Sequence, residues 1–317
     1  MFGNRGISPG PSFSDAMTME SQLRRRAARF STPAAACTLS AMEITVTKMH
    51  GLGNDFVLVD GLSSGISLSP EQIMRIADRR LGVGCDQVLL VERPRRSGID
   101  ANYRIFNADG GEVEQCGNGA RCVARYLRTT GWVDRDTIVV ETLARIIHLY
   151  CQDDGQVQVD MGAPRLAPAE IPLLAEREAD TYEIEVNGGQ VSVAAVSMGN
   201  PHAVLRVPDT DRAPVDELGP AIGKHWRFPQ GANVGFMQVI DAGHIRLRVF
   251  ERGAGETPAC GTGACAAVVA GRRLGLLDPE VNVVLPGGQL TLRWQGAGQE
   301  VWMTGPATKV FDARMTL

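Results

Sequence analysis

From residue 43 onward, short runs that alternate apolar and polar positions are broken by Gly, Asn and Pro, which is the period-two signature of strands separated by turns. EITVT, FVLVD, QVLLVE, NYRIF, TIVVET and QVQVDMG are the strands predicted in the first half. In the second half TYEIEV and QVSVAAVS flank Asn187-Gly188-Gly189, HIRLRVF follows, and the alternation at 281–285 meets LTLRW through Pro286-Gly287-Gly288. Both junctions read as hairpins. A helical period appears in SPEQIMRIADRRLG, with Ser69 as N-cap, Pro70 at the first helical position, Gln72 closing a capping box and Gly82 as the stop. Strands dominate and hairpins join many of them. The fold class expected is therefore α+β with mixed, largely antiparallel sheets, not a doubly wound βαβ fold.

Two further helices are predicted where GEVEQCGNGARCVARYL (111–127) and GETPACGTGACAAVVAG (255–271) pass from a C-G-x-G turn into an apolar run. Aligned on Cys116 and Cys260, both read G-E-x-x-x-C-G-x-G-A, or nearly so. The offset recurs elsewhere. Gly53-Asn54 and Gly199-Asn200 are 146 residues apart, as are Gln87 and Asn233, and the two cysteines are 144 apart. Shared order and spacing imply two halves of one ancestral unit, with a boundary in the Pro- and Ala-rich stretch 164–172. The expected domains are 43–162, completed by 306–317, and 163–305.

Composition narrows the function classes. The 317 residues are 44% hydrophobic, enough for two cores, and the net charge of −4 supplies no basic footprint for a nucleic acid. No apolar run nears the roughly 20 residues of a membrane span. Residues 1–42 differ from the rest in holding five arginines, no lysine and two acids. They read as an N-terminal extension, either a transit peptide that directs the chain to a plastid or another organelle, or a tail upstream of the true start at Met42 in a cytoplasmic protein. Seven cysteines, an odd number in a chain too large to need staples, point to free thiols in a reducing compartment.

Cys37, Cys85, Cys122, Cys151 and Cys265 read as small buried hydrophobes. Cys116 and Cys260 do not. Their spacing to the next cysteine does not suit zinc and histidines are few and unpaired, so no metal is expected, while the absence of a C-x-x-C weakens dithiol redox chemistry. A reversible disulfide between the halves stays open. A cysteine just before a helix meets unsatisfied N–H groups and the positive end of the helix dipole, so both thiols are expected to have lowered pKa values, and the glycines after them let an anion approach. Two such units facing one another would flank a substrate carbon. One thiolate removes a proton and the other thiol returns one to the opposite face.

KMHGLGNDFVLVD, GCDQVLLVE, RIFNADGGEVEQCGNGARC, VSMGNPHAV, GANVGF and ERGAGETPACGTGACAA resemble, in this order, the motifs of the diaminopimelate epimerases, and the resemblance runs from Met42 to the C-terminus. It implies two pseudo-symmetric domains, each a mostly antiparallel sheet wrapped around a central helix, with the active site in the cleft between them, a homodimer, no cofactor, and diaminopimelate as substrate in lysine biosynthesis. By the same resemblance Cys116 and Cys260 match the catalytic acid/base pair. Gly117-Asn118 and Gly261-Thr262 match the backbone donors for the carboxylate at the reacting carbon. Asn54, Asn107, Asn200, Asn233 and Arg252 match residues that hold the distal amino-acid head, and Gln87 matches a pocket wall. Glu251 matches a carboxylate near the distal ammonium and, with His202, a group assisting proton movement. Thr262 stands where the family often has Ser, and ETLARIIHL lacks a glycine common near Arg145. The readings left beside this one are a proline or hydroxyproline racemase, which also uses two cysteines, and a noncatalytic thiol switch.

Overall fold

The alternating run at Glu43 forms β1 (Glu43–Gly51), which turns through Leu52 and Gly53, both at positive φ, into β2 (Asn54–Asp60). A two-residue turn of that hand matches the twist of the strands it joins. The computed structural model describes Gly3, residues 42–113 and residues 117–317. Cys37, Cys116 and nearly all of the extension expected over 1–42 thus lie outside the described residues. After β2 come α1 (Gly61–Ser64) and α2 (Pro70–Ala77), the latter opened by the expected capping box. It ends before Gly82, because the Asp78 carboxylate accepts from the backbone of Arg80 and Leu81 and turns the chain out of the helix. Gly82 instead passes over the helix end, where a β-carbon would fall 1.9 Å from the Arg75 carbonyl oxygen.

β3 (Gln87–Glu92) runs parallel to β2, and β4 (Ala101–Asn107) antiparallel to β3, with β5 (Glu112–Val113) folded back on β4. α3 (Gly117–Thr129) leads to β6 (Thr137–Glu141), parallel to β4, and then to the antiparallel β7 (Ile146–Cys151) and β8 (Gln156–Asp160).

The second half repeats this order. β9 (Tyr182–Val186) and β10 (Gly189–Ser197) form the Asn187-Gly188 hairpin, and β10 pairs with β11 (Pro201–Arg206) as β1 does with β2. α4 (Val215–Gly223) precedes β12 (Asn233–Asp241), which is parallel to β11. β13 (His244–Glu251) and β14 (Gly255–Thr257) correspond to β4 and β5, α5 (Gly261–Arg273) to α3, and β15 (Glu280–Leu285), parallel to β13, to β6. β16 (Gly288–Arg293) and β17 (Trp302–Pro306) follow, and β18 (Thr308–Thr316) returns to pair with β1. The halves also share the antiparallel pair β8–β17, so one hydrogen-bonded ladder runs through both.

Each long helix presents small and branched residues to the sheet around it. Ala120, Val123 and Leu127 of α3 and Ala264, Cys265 and Val268 of α5 are fully buried in one cluster that spans the halves. A second cluster, built on Ile171, Val193, Val234 and Phe236, lies in the second half under α4. Helices buried on so many sides are held by packing more than by propensity. No helix among the described residues is long and apolar enough to cross a membrane.

Candidate functional site

The repeat brings equivalent positions to the same edge of each sheet. Asn54 and Asn200 stand at or beside the starts of β2 and β11, Gln87 and Asn233 open β3 and β12, and Asn107 and Glu251 close β4 and β13. Gly117 and Gly261 are the first residues of the two long helices. A cavity of about 790 Å³ opens among them and is walled by Asn54, Gln87, Asn107, Gly117, Asn118, Asn200, Glu251, Arg252, Cys260 and Thr262. Of the expected site residues, Asn233, His202 and Gly261 stand behind this wall, and Cys116 is outside the described residues.

Cys260 occupies the N-cap position of α5 and is 4% exposed. Its thiol donates to Glu251 Oε2 at 3.1 Å and lies 3.6 Å from Thr262 Oγ1, while Thr257 Oγ1 donates to the other Glu251 oxygen. This corrects the expectation of a lowered pKa for Cys260. Burial, and after it the Glu251 charge, hold the thiol well above its ordinary value, and these outweigh the Thr262 hydroxyl and the backbone N–H of Gly263 at the helix start. In this state Cys260 is a proton donor whose acceptor is already in contact.

Amide side chains surround the cavity on both halves of the repeat. Asn118, 4% exposed, donates to Asn54 Oδ1 at 3.1 Å and to the Ala259 carbonyl at 3.4 Å, so the start of α3 is tied to the residue before Cys260. Gln87 donates to Asn107 Oδ1 at 2.9 Å across the β3–β4 register. Asn200 Nδ2 donates to Thr262 Oγ1 at 3.4 Å, which leaves its oxygen to accept from His202 Nε2 at 2.9 Å. Asn233 accepts the backbone N–H of Arg252 at 2.8 Å and donates to the Pro201 carbonyl at 3.3 Å, so it braces the Glu251-Arg252 corner from behind. The Arg252 guanidinium is tied to the Gln230 carbonyl at 2.6 Å.

His202 is 1% exposed and has its imidazole pushed down to about 3, first by burial and then by the Arg252 charge, so it is neutral. Between the ordinary 6.5 and about 3 an unfolded chain binds a proton that the folded one refuses. Stability present above that window is lost as pH falls through it, by about 1.4 kcal/mol per pH unit from this group. In urea denaturation at pH 7 and pH 5, His202→Asn is expected to show a smaller drop than the parent chain, and an equal drop would exclude His202 as the source.

Arg79, Cys85, Asp86 and Thr257 also line the cavity, and sequence reading missed them. Asp86 and Thr257 each lie within three residues of an expected site residue, Gln87 and Cys260, which is the signal available for them. Cys85 is a buried thiol pushed up to about 11 by desolvation, in keeping with its reading as a small hydrophobe. No group of three or more His, Cys, Asp or Glu among the described residues is arranged to hold a metal.

A family model described as diaminopimelate epimerase matches residues 46–167 and 194–310. The chain is 61% identical over 280 residues to the diaminopimelate epimerase of Thioalkalivibrio sulfidiphilus, covering 87% of this chain and all of that one. It is 56% identical over 276 residues to that of Nitrosospira multiformis, covering 87% and 99%. Among solved structures, a phenazine biosynthesis protein of the PhzF family from Bacillus anthracis is 18% identical with a TM-score of 0.63, over 87% of this chain and all of that chain. A hydroxyproline epimerase from Agrobacterium vitis, bound to trans-4-hydroxy-L-proline, is 18% identical with a TM-score of 0.62, over 87% and 93%. These two likenesses concern the fold, in which two pseudo-symmetric halves each wrap a mixed sheet around a helix.

Proposed function

This chain belongs to the diaminopimelate epimerase family and is accordingly an isomerase, and on that premise we propose that it interconverts LL- and meso-2,6-diaminopimelate without pyridoxal phosphate. The observation that carries the reading is the meeting of two helix starts in one polar cavity. Gly117 and Asn118 of α3 line it together with Cys260 and Thr262 of α5. The N–H groups of the first turn at both starts suit the carboxylate of the reacting carbon and the charge that develops when its α-proton leaves.

Cys260 donates a proton to one face and Cys116 removes one from the other; in the reverse direction the roles exchange. One turnover swaps the protonation of the pair. Glu251, in contact with the Cys260 thiol, is placed to take that proton when Cys260 must act as base, and His202 acts on the same side through Asn200. Asn54, Gln87, Asn107, Asn200 and Arg252 receive the distal head, braced by Asn233. A site built to hydrogen-bond a second carboxylate and ammonium rejects substrates that lack them.

The same reading gives two domains, 43–162 with 306–317 and 163–305, which the β1–β18 pairing supports. It makes the protein a cytoplasmic homodimer in lysine and peptidoglycan-precursor synthesis. Exposed Val310 and Phe311 on β18 offer apolar area for the dimer contact. The test is incubation with LL-diaminopimelate in deuterated water. Deuterium is expected at the α-carbon together with meso product, whereas exchange into proline and none into diaminopimelate would replace this reading with a proline-type racemase.

A further inference from the structure

The Asp86 carboxylate stands in the cavity wall, and the reaction as read so far gives it no part. Three donors fix it: Arg79 Nη2 at 2.7 Å on one oxygen, and on the other the Asp55 backbone N–H at 3.1 Å and Asn54 Nδ2 at 2.9 Å. Arg79 is itself forked onto Asp55 at 3.0 and 2.7 Å. Asp55 also takes the Lys48 ammonium at 2.5 Å and the Asp86 N–H at 2.9 Å. Two acids and two bases, joined by reciprocal backbone bonds, thus hold Asp86 against the side chain of Asn54.

A carboxylate can only accept hydrogen bonds, so Asn54 must turn its amino group toward Asp86 and its oxygen the other way. That oxygen accepts from Asn118 Nδ2 at 3.1 Å. Asn118 spends its donors on Asn54 and Ala259, and its own Oδ1, buried, has no hydrogen-bond partner among the described residues. That oxygen lies 3.4 Å from where a β-carbon on Gly261 would sit, beside the start of the facing helix.

We propose that Asp86 is a positioning residue, whose carboxylate sets the amide polarity of Asn54 and, through it, of Asn118, so that an acceptor oxygen stands beside the two helix starts that grip the substrate. This rests on the reading of the chain as an amino-acid epimerase. Helix starts offer donors to a carboxylate, and one fixed acceptor among them matches the ammonium on the same carbon. With Asp86 gone, the Asn54 amino group loses the acceptor that fixes its direction, and the amide turned over would set its amino group against that of Asn118.

The experiment is a double-mutant cycle of Asp86→Ala and Asn54→Ala, read as kcat/KM with thermal unfolding of each variant alongside. It uses whichever amino acid the parent chain exchanges, so a failure of the diaminopimelate reading leaves the cycle readable; a parent that exchanges no α-proton overturns both readings. Asp86→Ala is expected to lower kcat/KM about tenfold, mostly through KM. It should have no further effect in the Asn54→Ala background, because the two act as one unit. Additive losses would overturn the proposal. Asp86→Asn, which can still accept through its oxygen, is expected to recover part of the loss and serves in the cycle if the alanine variant does not fold; full loss in that folded variant would also count against it.

Discussion

Cys260→Ala is expected to lower kcat for epimerisation about a thousandfold while leaving KM within a few-fold of the parent. Among the described residues at this end of α5, the thiol lies in the cavity wall and can give up a proton, whereas Thr257 and Thr262 are hydroxyls of far higher pKa. General acid–base groups contribute about 10² to 10⁴ in rate, which sets the expected size. On the proposed reading KM is spared, because backbone N–H groups that the substitution does not touch receive the carboxylate. The fold should be spared as well, since Cys260 is an N-cap without a capping hydrogen bond from its side chain. Steady-state kinetics with a thermal melt decide the matter. A folded alanine variant that keeps a tenth or more of the parent rate would show that Cys260 is not the acid.

The second large effect is expected far from the thiols in sequence. A β-carbon on Gly287, in the β15–β16 turn, would fall 2.1 Å from the Leu52 carbonyl oxygen and 3.0 Å from that of Pro258, whose bond from the Gly287 N–H is 2.8 Å long. Neither obstacle is a flexible side chain. Leu52 is two residues from Asn54, and Pro258 is two from Cys260, so the turn can relax only by displacing both walls of the cavity. Gly287→Ala is therefore expected to destabilise the protein by about 1–3 kcal/mol or more and to raise KM together with it. Gly298→Ala is the control. It sits at positive φ with open space around it and is not part of the cavity wall, so it should lower the melting temperature and leave KM unchanged. A Gly287→Ala enzyme with the parent's KM and melting temperature would show that the Gly287 turn does not hold the Leu52 and Pro258 segments in place.

Much of this arrangement was legible in the chain because it rests on local rules. The capping box at Ser69, the Asn187-Gly188 hairpin and the start of each long helix directly after a cysteine follow from neighbours a few residues apart. The recurrence at about 146 residues located the repeat before any strand was paired. What was not legible depends on distant partners or contradicts propensity. α4 carries Pro220 inside it and is kept helical by packing beneath it of Val215 and Ile222 in the second core. β17 and β18 take their meaning from pairing with β8 and β1, more than 140 and 250 residues away along the chain. The protonation of Cys260 is not legible in the sequence for the same reason. The helix start is local and was visible, whereas complete burial and the Glu251 carboxylate are products of the tertiary structure.

The pairing of β18 with β1 also governs when the first half can finish folding. Glu43 opposes Thr316 and His50 opposes Thr308, so an edge made at the beginning of the described fold waits for a strand more than 250 residues further along the chain. Until β18 emerges from the ribosome, β1 exposes a row of unpaired N–H and C=O groups, and β8 exposes another until β17 arrives. Open edges of that kind invite pairing with other chains, and closing loops of this length makes folding slow. The sheet around the start of α3 is thus completed only when β17 and β18 are in place, which makes the two halves of the described fold interdependent in folding.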